Sequence, residues 1–218
     1  GIREILGDKK VNGVKLENGD IIESDAVVLS VGYKPNVDLA RKSGIYVDES
    51  GFIAVDEYMR THVKDIFAVG DCAQKRDFVT RARVSTMLAS TACAEARIAG
   101  MNLFNLNVVK TFSGTIAIYS TAIGSTGFGT AGITEARAKA EGIDTLTGTF
   151  EGLDRHPGNL PDAHKQLVKL IAARQSGVII GGEVIGGLSA GELTNVLGLI
   201  IQNRMTVNSL LTTQIGTH

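Results

Sequence analysis

Thr61-His62-Val63-Lys64-Asp65-Ile66-Phe67-Ala68-Val69-Gly70-Asp71-Cys72 sets an apolar run, Ile66 to Val69, directly before a glycine and a carboxylate. The run has the composition of a buried strand. Gly70 would let the backbone pass close to another group. Asp71 would then project from the strand's carboxyl end, the edge at which open α/β sheets hold their ligands. An ionised carboxylate in that place accepts hydrogen bonds from hydroxyl groups. Glycine and aspartate are also favoured turn residues, so the segment alone describes a plain turn as well.

Another junction precedes it. Ala26-Val27-Val28-Leu29-Ser30-Val31-Gly32-Tyr33-Lys34-Pro35-Asn36 is a continuous apolar strand that runs through a glycine into a Pro-Asn loop. In this order and at this spacing the two segments resemble the pyridine nucleotide-disulfide oxidoreductases. The earlier one is similar to that family's Gly-x-x-Pro-Asn strand-to-loop junction, and the later one to its second flavin-binding motif. Ile179-Ile180-Gly181-Gly182-Glu183-Val184-Ile185-Gly186-Gly187-Leu188-Ser189-Ala190-Gly191-Glu192 resembles a run in the family's C-terminal interface domain, where a sheet strand leads into the helix at the dimer contact. Gly132-Ile133-Thr134-Glu135 resembles the Gly-Leu-Thr-Glu segment of the same domain.

The resemblance covers nearly the whole chain. It implies an α+β interface domain, an antiparallel sheet with helices, preceded by the C-terminal segment of an α/β FAD/NAD(P)-binding domain. Residues 1–36 would end the NAD(P)-binding domain, 37–105 would be the returning segment of the FAD-binding domain, and 106–218 the interface, or dimerisation, domain. The implied cofactor is FAD with NAD(P)H as co-substrate, hydride passing on to oxygen, peroxide or a disulfide, with the NADH oxidase and coenzyme A-disulfide reductase branch the nearest. The implied partner is a second copy. The implied cofactor-binding residues are Gly70 and Asp71, the carboxylate accepting from a flavin ribityl hydroxyl, and Met87, Leu88 and Ala89, whose helix would aim backbone N–H groups at the flavin pyrimidine carbonyl. One departure stands out: Glu95-Ala96-Arg97 occupies the place where many members have Gln-Gly-Arg. The family's flavin pyrophosphate loop has no counterpart in the sequence, so the expectation is a fragment that by itself binds FAD weakly or not at all. A non-catalytic homodimerisation module is the alternative.

The local pattern predicts the elements that carry these motifs. Residues 2–31 have the look of a β meander, with Val11–Leu16, a turn at Asn18-Gly19, Ile21-Ile22, and the strand Ala26–Val31. Short strands are expected at Ile53–Val55 and Ile66–Val69. The small-residue segment Val84–Gly100 predicts a helix, with Ser85 or Thr86 as N-cap and Gly100 as its stop. Strand-like Gly114–Tyr119 comes next, then a helix over 134–141 capped by Thr134 and ended by Gly142, and strand-like Thr145–Phe150. Gln166–Ala172 and Val178–Val184 follow as a strand pair turning at 174–177. The helix Ala190–Arg204 and a short helical segment after Val207 close the chain. Leu193, Val196, Leu197, Leu199, Ile200 and Ile201 spread over more than one stripe of that long helix, which asks for more than one covered face.

Gly127-Phe128-Gly129-Thr130-Ala131-Gly132 satisfies Gly-x-Gly-x-x-Gly between a strand and a helix, the setting of a dinucleotide fingerprint and the basis of a third reading as an independent nucleotide-binding protein. The helix after it, about two turns long, is too short for a crossover between parallel strands. His62, His156, His164 and His218 lack ligand spacing, so no metal site is expected. Gln214-Ile215-Gly216-Thr217-His218 resembles the lead-in to the family's C-terminal His-Pro element, but the sequence stops at the histidine and no role is assigned to it. Cys72 and Cys93 are not spaced as a redox or zinc pair, so no catalytic residue is assigned. A formal charge of −1 with both signs interspersed gives no footprint for nucleic acid or an anionic membrane. No apolar run reaches spanning length, and no signal-peptide pattern opens the chain, which points to a cytoplasmic setting.

Overall fold

In the computed structural model, which describes residues 1–105 and 111–216, Gly1–Pro35 and Asn36–His218 form two units. The first is built on β1 (Ile2–Leu6), β2 (Gly13–Leu16) and β3 (Ile21–Glu23), an antiparallel meander in that order. Its second turn is a three-residue loop. Gly19 N–H donates to the Leu16 carbonyl at 3.0 Å, and Leu16 N–H donates to the Asp20 carbonyl at 2.8 Å. Gly19 alone takes a positive φ, +94°, so this is a type I turn closed by a glycine bulge, not the two-residue turn favoured for Asn-Gly. Ala26–Val31 is not a strand: Val28 and Val31 are 90% and 84% exposed. An extended apolar segment becomes a strand only beside a ladder, and among the described residues none pairs with it.

The second unit begins with α1 (Asp38–Lys42), a short helix that the sequence pattern does not announce. The segment after it is held by single bridges, Val47 with Ile53, Ile53 with Ala73, and Arg60 with Phe67. Ile53–Val55 and Ile66–Val69 are therefore bridge segments and not strands. Left-handed Met59 (φ 67°) and Asp65 (φ 65°) bend the chain between them before a ladder can lengthen. Asp48 secures this region from inside: its carboxylate accepts from the N–H groups of Ser50 (2.9 Å) and Phe52 (3.0 Å) and from the Gln74 amide (2.5 Å). Val37, Ala40, Ile53, Ala68 and Ala73 form the local core. The two-residue pair β4 (Lys75–Arg76) and β5 (Arg83–Val84) then leads to α2 (Ala89–Met101).

The remainder is an antiparallel sheet backed by helices. β6 (Ile118–Ile123), β7 (Thr126–Gly132), β8 (Thr145–Leu153), β9 (Lys165–Ala173) and β10 (Ile179–Gly186) lie in the order β6-β7-β10-β9-β8. Between β7 and β8 runs α3 (Glu135–Ala140). Thr134 caps it by accepting from Arg137 N–H at 3.3 Å. Gly142 (φ 70°) ends it, with Ile143 N–H donating to the Ala138 carbonyl and Gly142 N–H to the Lys139 carbonyl, the paired bonds of a Schellman stop. After β10 come α4 (Ala190–Gln202) and α5 (Val207–Leu211), the latter opened by a Thr206–Ser209 capping box. Leu197, Ile200 and Ile201 of α4 pack onto Ala131, Ile179 and Val184 of the sheet.

Gly127–Gly132 lies wholly within β7, paired to β6 on one side and β10 on the other, so it forms no phosphate loop. Its glycines serve close packing. A Cβ at Gly129 would fall 1.8 Å from Thr194 Oγ1 of α4, and one at Gly127 would fall 2.6 Å from the Gly187 carbonyl oxygen. The fingerprint spacing is thus the imprint of a helix lying directly on a strand.

Candidate functional site

Gly70–Cys72 forms one turn of 3-10 helix at the end of the bridge segment. Gly70 has φ +79°, and its face rests on α2: a Cβ there would stand 3.6 Å from that of Ala92. Its N–H donates to Glu95 Oε2 at 2.7 Å, and its carbonyl accepts from Lys75 Nζ at 2.5 Å. Asp71, next in the chain, is exposed. The structure therefore puts a free-standing carboxylate on a turn seated against the first half of a helix.

That helix starts at Ala89, after Leu88 in an extended conformation (φ −131°, ψ 134°), and no side chain caps it. Ser85 and Thr86 lie too far upstream to do so, which corrects the cap expected there. The stop also differs: α2 runs past Gly100 to Met101, and Asn102 closes it with its amide donating to the Ile98 carbonyl. The first intrahelical bond runs from Ala92 N–H to the Leu88 carbonyl at 3.0 Å. The amides of Ala89, Ser90 and Thr91 precede it and have no acceptor within the helix. Together with the helix dipole they favour a carbonyl or an anionic oxygen. Met87, Leu88 and Ala89, the helix residues singled out from the sequence, are the ones at this terminus.

Beneath the turn lies a pair the sequence reading missed. Lys75 and Glu95 side chains are both 0% exposed, with Nζ 3.2 Å from Oε1. Burial pushes the Glu95 carboxyl above its ordinary range, outweighing Lys75 and the Gly70 N–H, which pull it down; the nearby Asp71 charge adds to the rise. The partners stand 20 residues apart, so no local spacing reveals them; the available signal was a lone acid among alanines.

Cys72 is half-buried, its thiol donating to the Val69 carbonyl at 3.5 Å, and Cys93 is exposed; neither forms a disulfide. Among the described residues no His, Cys, Asp and Glu group could hold a metal ion, and no helix is long and apolar enough to cross a membrane. His218 lies outside the described residues. The site thus offers an acceptor for hydroxyls at Asp71 and a row of donors at the start of α2.

Residues 1–96 match the model for pyridine nucleotide-disulphide oxidoreductases, and residues 118–218 match that family's dimerisation domain. The NADH oxidase of Enterococcus faecalis is 31% identical over 96% of this chain and 48% of its own length. The NAD(P)H coenzyme A polysulfide/persulfide reductase of Pyrococcus horikoshii is 26% identical over 96% of this chain and 46% of its own. The chain thus spans about half the length of the curated relatives it matches. Among solved structures, the NAD-dependent persulfide reductase from A. fulgidus superposes with a TM-score of 0.88 at 30% identity, covering 100% of this chain and 40% of that one. The two family matches together take in most of the sequence, and the chain belongs to the pyridine nucleotide-disulphide oxidoreductases.

Proposed function

We propose that this chain supplies part of the FAD site and the subunit contact of a flavoprotein that passes hydride from NAD(P)H through FAD to oxygen, peroxide or a disulfide. The observation that carries the reading is the exposed Asp71 on a glycine turn, seated against the uncapped first turn of α2. An open carboxylate and unclaimed helical amides suit a polyhydroxyl chain joined to a ring that bears carbonyls. FAD, when bound, supplies the two-electron carrier. Asp71 would accept a hydrogen bond from a ribityl hydroxyl, Gly70 would keep the backbone low enough for that approach, and the amides after Leu88 would hold the pyrimidine carbonyl and favour negative charge on the reduced ring. The names of the relatives, NADH oxidase and NAD(P)H coenzyme A polysulfide/persulfide reductase, support this chemistry. In this reading residues 1–36 end the NAD(P)-binding domain, 37–105 belong to the FAD-binding domain, and 106–218 are the interface domain.

A subunit contact is supported by α4. One face is buried on the sheet, while Val196 and Leu199 remain 42% and 58% exposed on another, ready to be covered by a second copy. Asp71→Ala in the FAD-binding protein tests the flavin assignment. Loss of a hydrogen bond to a charged group predicts FAD binding weaker by about 10- to 100-fold, read from the quenching of flavin fluorescence. Unchanged affinity would overturn it.

A further inference from the structure

Two ions enclosed in protein are held at a cost unless their remaining donors and acceptors are used, and an apolar pair of similar volume fills the same space more cheaply. The use made of Lys75 and Glu95 is therefore informative. Lys75 Nζ lies 3.2 Å and 3.4 Å from the two Glu95 oxygens and also donates to the carbonyls of Gly70 (2.5 Å) and Ala73 (3.1 Å). Glu95 Oε2 accepts the Gly70 N–H at 2.7 Å. Both backbone polar groups of one glycine thus end on the two halves of one ion pair. A glycine at φ +79° has no side chain by which packing could hold it, so hydrogen bonds must set its orientation.

We infer that Lys75 and Glu95 are positioning residues for Asp71. Lys75 belongs to β4 and Glu95 to α2, so the pair ties the turn that carries the carboxylate to the helix whose first turn supplies the amides. It keeps the two halves of the site in register, and an apolar replacement would fill the space without doing so. The inference rests on the reading of Asp71 as a flavin contact.

The decisive variant in the holoenzyme is Lys75→Met with Glu95→Leu, which removes both charges together and leaves neither stranded. It is expected to fold but melt below the wild type, because the Gly70 N–H and the Gly70 and Ala73 carbonyls lose their partners, and to bind FAD about 10-fold more weakly; combined with Asp71→Ala it is expected to bind no more weakly than Asp71→Ala alone, because both changes act through one contact. Wild-type FAD affinity in the folded double variant, or losses that simply add to those of Asp71→Ala, overturns the positioning role. If Asp71→Ala alone binds FAD normally, the flavin contact itself is gone and the positioning role with it, a different pattern of results. Should the double variant fail to fold, amide exchange in the unmodified protein decides. Gly70 is expected to exchange at least about 10-fold more slowly than Asp71; equal rates would show that the pair does not hold the turn.

Discussion

At the scale of single residues, the interior around the Gly70 turn is held by acids whose surroundings pull in opposite directions. Burial acts first on Asp48 and would raise its carboxyl, but the N–H groups of Phe52 and Ser50, the Gln74 amide and the Arg83 charge together bring it below the ordinary aspartate range. A carboxyl lowered by folding contributes stability above its unfolded pKa, and that contribution fades as pH falls through the unfolded value toward the folded one. Asp48→Asn should therefore flatten the acid side of the stability profile measured by urea unfolding. A variant as acid-sensitive as the wild type would contradict this. Asp48→Ala leaves the buried Phe52 N–H without its acceptor and should cost about 1–3 kcal/mol in the same melts. Glu95 has the opposite sign: raised by burial, it makes folding less favourable as pH rises from the ordinary glutamate range through its own. Gly70 and Asp71 can be singled out from the sequence because a glycine and a carboxylate after an apolar run form a local pattern. The Lys75–Glu95 pair cannot, since its meaning depends on a turn and a helix meeting in space.

Among the elements, those whose signals are internal were legible. The β9–β10 hairpin, α3 between Thr134 and Gly142, and α4 each carry their own periodicity or caps, and the structure moves their ends by only a residue or two. Ala26–Val31 and Ile66–Val69 failed as strands because a strand is defined by its neighbour, which no apolar run contains. Gly127–Gly132 shows the reverse hazard, since glycines spaced for a phosphate were spaced for a helix. Gly129→Ala would drive a methyl group into Thr194 and should destabilise the fold by about 1–3 kcal/mol in thermal melts. Adding Thr194→Ala, which removes the nearest atom, should recover part of that loss; a harmless Gly129→Ala would mean that α4 rides higher on β7 than described.

For the whole molecule the proposed function joins a partial flavin site to a subunit contact. If α4 meets a second copy through Val196 and Leu199, then Val196→Glu with Leu199→Glu should convert a dimer to a monomer by light scattering while leaving the thermal midpoint largely unchanged. A wild-type chain that stays monomeric at high concentration would dismiss that contact. The proposed role of Asp71 is read most plainly from a crystal structure of the FAD-loaded protein. The Asp71 carboxylate is expected about 2.5–3.0 Å from a ribityl hydroxyl, with the amides after Leu88 facing the pyrimidine carbonyl. A flavin bound with its ribityl chain clear of Asp71, or seated at Gly127–Gly132, would contradict it.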